Sequence, residues 1–371
     1  MDLLKKKRSD FDQEEEVVAG DISVLGEDIL HEILLRLPPS SLLSSMSVCK
    51  SWLRVHSSPL FHRHYRSRRA SSLLGFFVNF PCESPFFLPA SSSSTALSEL
   101  GSVQILDSRA GWLLLRDLVN SSLRLFHPIF NKTLAVVQPS LENSTTVYHA
   151  LLPDPFSFNP VRRFRILRVL TKPSSRPTIE IFSSESPGEW KKIQSLCNIR
   201  TRRCFLEVHP VLVNGYVHWL KGDCQILALD EINYEFSILG LPRKLPLYII
   251  NRWLGKFNDR LCYSYLEESV LYVWVLVDRF HCEWHLECQI EMGRFRELGQ
   301  PNQARLLAFG VGGSLNVAFL GLMGKIFSLD LGSGELREIG NAGFEVDHVF
   351  PYNFVEADWS VSSILDCEAL L

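Results

Sequence analysis

The sequence lacks any run approaching the ~18 apolar residues that a helix needs to cross a bilayer, which argues against a membrane-spanning helix. It has no CxxC pair, and its nine cysteines are irregularly spaced. A disulfide framework is therefore not expected, and buried thiols in a reducing compartment are. Charge imbalance is also missing: 38 lysines and arginines face 41 acids, a net charge of −3. Nothing in that balance pulls the chain toward nucleic acid or an anionic membrane. There is no GxSxG elbow, and the glycines between 310 and 324 are not followed by the lysine-serine/threonine pair of a phosphate loop. No catalytic residue, metal or cofactor is expected. The opening stretch MDLLKKKRSDFDQEEE places charges where a secretion signal would need apolar residues. We therefore expect a soluble protein of the cytoplasm and/or nucleus. The sequons at Asn120, Asn131 and Asn143 then read as chance, and Lys5–Arg8 reads as a solvated tail or a nuclear address.

What the sequence does have is 46% hydrophobic residues, enough for a sizeable core. The pattern is helical at first. Ile29, Leu30, Ile33, Leu34 and Leu37 cover an arc of about 140° on one helix face. Glu27 and Asp28 sit in the first turn, where they complement the helix dipole, and Pro38-Pro39 stops the helix. A short element around Leu42 and Leu43 follows, then a third helix with Val48, Trp52 and Val55 on one stripe and Cys49 and Leu53 beside it. Val24 to Tyr65 is close to the ~40-residue limit below which isolated domains seldom hold together. Its leucines need another surface, either the rest of the chain or a partner. Leu35 lies off the main arc and is left over after one-sided packing.

The string LGEDILHEILLRLPPSSLLSSMSVCKSWLRVHSSPLFHRHY resembles the F-box, with its acidic pair, leucine-rich first helix ending in RLP, and VCKxW third helix. The resemblance implies docking onto a Skp-type adaptor, and through it onto a cullin and a RING subunit. The residues it assigns to that contact are Leu25, Glu27, Ile29, Leu30, Ile33, Leu34, Leu37, Pro38, Leu42, Leu43, Val48, Cys49 and Trp52. Gly26 departs from the pattern, because the family usually has proline there. Glycine is tolerated as an N-cap, but an apolar contact is lost.

Beyond the basic connector HRHYRSRRASS, strands dominate: GWLLLRD, SLRLF, FRILRVL, TIEIFSS, YVHWL, QILALD, LYVWVLVD, LNVAFL and KIFSLD. No amphipathic helix intervenes, so the region is expected to be all-β. Residues 217–240 and 317–340 align without a gap, each with a strand ending in Asp230 or Asp330 and a glutamate five residues on. The ending recurs at Asp278, more loosely at Ser184, and faintly around His127. These positions define a repeat near 50 residues, the period of kelch-type propeller blades. Strands at Leu73–Phe80 and Val346–Trp359 could share a closing blade, which gives about six blades, with seven also compatible. Through GWLLL, HPIFNKT, VHWL with ILALD, and the late Pro351-Tyr352, this half resembles the F-box-associated or kelch-like domain of plant F-box proteins. The expected organisation is a charged tail (1–21), an all-α F-box (22–66), a linker (67–72) and an all-β propeller (73–365).

One cluster suggests metal. Cys282, His285 and Cys288 would line one side of a helix, but the segment reads as strand and turn, where that spacing alternates between faces. The arginines at 162, 163, 165 and 168 and at 200, 202 and 203 suit an acidic partner or a solvated face. The resemblance thus implies a substrate-recognition subunit of a ubiquitin ligase that binds an unidentified protein. A non-degradative scaffold is the alternative, and a ligand-binding or enzymatic propeller stands further off. The substrate-binding residues are not legible.

Overall fold

The computed structural model describes residues 26–37, 45, 48–56, 58, 60, 61, 64, 73–79, 84–89, 100–109, 111–128, 131–136, 146–153, 164–172, 176–184, 186, 189–193, 209–221, 225–242, 251–258, 260–295, 298–300, 303–311, 315–343, 346 and 348–353. The chain divides into two compact units, Met1–Arg68 and Arg69–Leu371. No helix among the described residues is long and apolar enough to cross a membrane.

In the first unit, helix α1 (Glu27–Leu34) begins at Gly26, whose carbonyl takes the Ile29 and Leu30 N–H groups, both at 3.0 Å. Helix α2 (Lys50–His56) follows. The expected element around Leu42 and Leu43 lies outside the described residues, as do Leu25 and Pro38.

The second unit is a six-bladed β-propeller, the expected architecture. Five sheets are four-stranded meanders in chain order: I (β3 Val103–Arg109, β4 Trp112–Asp117, β5 Leu123–His127, β6 Lys132–Val136), II (β7 Thr146–Pro153, β8 Phe164–Thr171, β9 Thr178–Ser183, β10 Trp190–Ile193), III (β11 Val211–Val213, β12 Tyr216–Lys221, β13 Gln225–Asp230, β14 Phe236–Gly240), IV (β15 Arg252–Phe257, β16 Arg260–Glu267, β17 Val270–Asp278, β18 Glu283–Glu291) and V (β19 Arg305–Val311, β20 Leu315–Leu322, β21 Lys325–Asp330, β22 Leu336–Asn341). Sheet VI joins the two ends of the domain, in the order β2 (Phe86–Pro89), β1 (Leu73–Asn79), β23 (His348–Asn353). Its inner strand β23 touches β19 on one side and β3 on the other, which closes the ring. Every repeat ending read from the sequence, at His127, Ser184, Asp230, Asp278 and Asp330, falls at the end of the third strand of its blade.

The core is distributed between the sheets. Six apolar clusters fill the six seams, for example Val169 and Ile181 against Val217 and Trp219 between II and III, and Phe77 and Tyr352 against Leu113 and Leu115 between VI and I. A strand covered on both faces cannot alternate, so WLLL of β4 and ILAL of β13 are buried throughout. Radial stacking of this kind leaves only short edges.

Polar groups seal the same seams. The Tyr352 hydroxyl donates to the Gly111 carbonyl at 2.9 Å, tying the last strand to the first complete sheet. Gly111 holds φ +80° with the His127 ring 2.9 Å from where a Cβ would stand, so only glycine fits the turn without strain. The GWLLL, HPIFNKT and Pro-Tyr motifs thus meet in one place. Asn79 in β1 brackets Ile105, donating to its carbonyl at 3.0 Å and accepting from its N–H at 3.3 Å. Asn251 does the same between IV and V, with Ala304 and Leu306 at 2.7 Å each.

Candidate docking surfaces

In the N-terminal unit the apolar residues divide into two sets. Leu30, Leu34, Leu35, Val55 and Phe61 are buried, whereas Ile29 is 55%, Val48 54% and Leu60 52% exposed. Ile33, Leu37 and Trp52 are half-buried, and Glu27 and Cys49 are exposed. Two expectations change. Leu35 is inside although it continues the helix, with αR angles and its N–H bonded to the His31 carbonyl at 3.0 Å, so the unit packs on a second side of α1. Val48, Trp52 and Val55 do not share a buried stripe, because α2 starts only at Lys50 and Val48 precedes it. The buried set is held by the edge-on packing of His31 and Phe61 rings, 5.3 Å apart, and by a 3.3 Å hydrogen bond between the His31 and His64 rings. An Arg54–Glu27 ion pair at 3.0 Å links the helices, but both side chains are mostly exposed and the pair contributes little. What this surface can do is bind an apolar partner through Ile29 and Val48.

On the propeller, the chemistry lies in the turns. Asp117, Asp230, Asp278 and Asp330 each close a turn by accepting backbone N–H bonds at Oδ1. The bonds come from Val119 and Asn120 (2.8 and 3.0 Å), Ile232 and Asn233 (2.8 and 2.9 Å), Phe280 and His281 (2.7 and 3.2 Å), and Ser333 (2.7 Å). These bonds favour the ionised carboxyl, and all four acids lie below the usual carboxylate range. For Asp278 the His281 side chain is the largest cause, and Asp278 in turn raises His281. The aspartate is needed because the chain then passes through positive φ, at Ser121, Tyr234, Cys282 and Gly334. Asp117 was not legible as a member of this set, since it ends the second strand of its blade rather than the third.

Arg279 locks the fourth sheet to the third. Its guanidinium lies 3.6 Å over the Tyr216 ring, meets His218 Nε2 at 3.0 Å and donates to Ser237 Oγ at 2.8 Å. Burial, aided by the Arg279 charge, pushes His218 down to about 3, so the ring is neutral and accepts. Arg165 makes the matching clasp between II and III, to the Glu231 carbonyl at 3.0 Å and the Tyr234 hydroxyl at 2.8 Å. Burial raises Glu231 in spite of Arg165 and Arg109. Across the axis, the His209 ring lies 4.1 Å from His348 and 4.9 Å from Phe350 and stacks on Trp253 at 5.4 Å, so side chains from opposite sheets meet at the centre.

The suspected metal cluster does not assemble. Trp274 pairs with Leu286 but Val273 with Cys288, so Glu287 is a bulge, and the strand changes face there. Cys282 packs toward sheet III and Cys288 toward sheet V. Burial raises Cys288 to about 11, and among the described residues no group of three or more ligands comes together.

Comparison with known proteins agrees with this division. The family model described as F-box-like matches residues 22–67. An F-box protein of Arabidopsis thaliana is 25% identical over 309 residues, covering 75% of this chain and 71% of its own. An F-box/kelch-repeat protein of the same plant is 23% identical over 240 residues, 60% of each chain. A third relative, also named an F-box protein, is 26% identical over 296 residues, covering 71% of this chain and 76% of its own.

Proposed function

We propose that this chain, an F-box protein of the plant type with a C-terminal β-propeller, is the substrate-recognition subunit of a Skp–cullin–F-box ubiquitin ligase. The observation that carries the proposal is the exposed apolar pair Ile29 and Val48 within the F-box-like segment, ahead of a domain that seals its own core. Covering what remains exposed of each side chain is worth about half of the roughly 1.5–3 kcal/mol of a full burial, so the pair would anchor a wider contact with the adaptor rather than hold it alone. The subunit performs no bond chemistry itself. The adaptor brings the cullin, the RING subunit and the charged conjugating enzyme, while the propeller holds a target protein. Tethering raises the effective concentration of the target's lysines at the ubiquitin thioester. Such a complex would work in the cytoplasm or nucleus, where these partners reside.

The test is reconstitution with a purified Skp-type adaptor, cullin and RING subunit. Wild-type protein is expected to co-elute with the adaptor and then with cullin. Ile29→Asp with Val48→Asp should abolish co-elution while the propeller melts unchanged, since both side chains are exposed. Co-elution by the double variant at wild-type level would refute the docking surface. Adaptor binding without cullin would refute the ligase and favour a scaffold.

A further inference from the structure

Two neighbouring blades carry large apolar side chains on their outer turns. Phe280 is 94% exposed, Ile232 56% and Val277 54%. Each is held outward by a local device. Ile232 and Phe280 occupy the same position, two residues after the turn aspartate, and the N–H of each is bonded to that aspartate's Oδ1. Val277 is the extra residue of a bulge, since Leu276 pairs with Trp284 and Asp278 with Glu283. The two turns are fastened together: Tyr216 hydrogen-bonds the Asp230 carboxylate and lies under the Arg279 guanidinium. An aromatic side chain on an over-determined turn loses little entropy on binding, which is what an interface anchor requires.

The charges beside these tips are acidic. A glutamate follows each apolar tip by three residues, Glu235 after Ile232 and Glu283 after Phe280, and both are exposed. Glu283 sits directly opposite Asp278 in the ladder, so two acids stand beside the Phe280 tip. The turn's arginine is turned inward onto sheet III, and the His281 ring at the turn's tip is bonded to Asp278 at 2.7 Å. The fifth sheet lacks both features: its tip is Gly332, and Glu335 is already held by Arg337 through two 2.8 Å bonds.

We propose that the rim of sheets III and IV is where the propeller takes hold of a protein partner, and that the partner presents an apolar side chain flanked by lysine or arginine. Calling that partner a substrate rests on the receptor reading above; the contact itself does not. The experiment uses the full chain and fluorescent synthetic dodecapeptides with a central Phe or Leu flanked by Lys, Ser or Glu. Lys-flanked peptides should bind about tenfold or more tightly than Glu-flanked ones. Phe280→Ser with Val277→Ser should lower their affinity by about the same factor. Glu235→Gln with Glu283→Gln should erase the preference for lysine. Equal binding of all three peptide sets, or full binding by the Phe280 variant, would overturn the proposal. So would sedimentation showing a wild-type dimer that Phe280→Ser dissociates, because the rim would then be a self-contact. Unchanged melting of the propeller certifies that the variants fold. Adaptor binding absent from the wild type would instead count against the receptor reading alone.

Discussion

The N-terminal unit and the propeller face the same problem, leucine-rich surface that water disfavours, and differ in how much of it they resolve alone. In the propeller every seam has an apolar cluster, and side chains such as Tyr352, Asn79, Asn251 and Arg279 close it with hydrogen bonds. In the N-terminal unit a few leucines are covered, while Ile29, Val48 and Leu60 remain in solvent. The difference is one of size. About forty residues cannot enclose a two-sided helix, and about three hundred arranged in a ring can enclose twelve sheet faces. Incompleteness in the small unit is therefore what leaves apolar surface open to a partner.

If the units are separable in this way, damage to one should spare the other. The largest effect is expected at Trp219, fully buried between sheets II and III. Trp219→Ala should cost about 3–5 kcal/mol of propeller stability, read as a fall in the urea midpoint. Adaptor binding by the N-terminal unit should persist under conditions where the variant's propeller has unfolded. Loss of both together would break the comparison.

Acid provides a second lever that acts on the propeller. Burial, with Arg116 and Arg168 nearby, lowers His149 to about 3, and His218 is lowered to the same level. Both are ordinary near 6.5 in the unfolded chain. The unfolded state then binds more protons as pH falls below 6.5, so stability falls with it, and above 6.5 these groups contribute no slope. At pH 5 the loss is about 2 kcal/mol for each histidine. Urea midpoints at pH 7 and pH 5 measure it, and because burial also holds His209 well below its ordinary value, His218→Gln should remove roughly a third of the dependence. A midpoint unchanged between the two pH values would show that neither ring is held neutral.

The same contrast governs what could be read in advance. Most second and third strands of the blades were legible, because runs such as QILALD are strongly apolar; β16, with RLCYSYLE, was missed. The inner strands β3, β7 and β15 were not legible either, because runs such as TVYHALLP and RWLGKF interleave polar with apolar residues, among them the buried His149. The count of about six blades followed from five repeat endings and a closing blade shared by the two terminal strands, which β1, β2 and β23 form. Arg279 and Tyr216 gave no signal, since their meeting depends on two blades 63 residues apart being neighbours. In the N-terminal unit, periodicity located α1 but misplaced Leu35, because a single apolar arc does not reveal that the unit also covers a second side of the helix.

The smallest effect concerns Gly26, and it tests whether the N-terminal unit is incomplete by design or by one residue. Gly26 is the N-cap of α1, with φ −56° and ψ 148° and no side-chain cap bond. Those angles suit proline, and a Cβ there would meet nothing within 4 Å. Gly26→Pro leaves the carbonyl that accepts from Ile29 and Leu30 in place and restricts the unfolded chain, a gain of about 0.4–1 kcal/mol. If folding of the unit is coupled to docking, the adaptor dissociation constant should tighten by about two- to fivefold, measured by titration calorimetry. Gly26→Ala should give part of that gain, as it restricts the unfolded chain less. Weaker binding by the proline variant would mean that glycine matches the adaptor surface this chain uses, so that the exposed face is tuned to its partner and not merely unfinished.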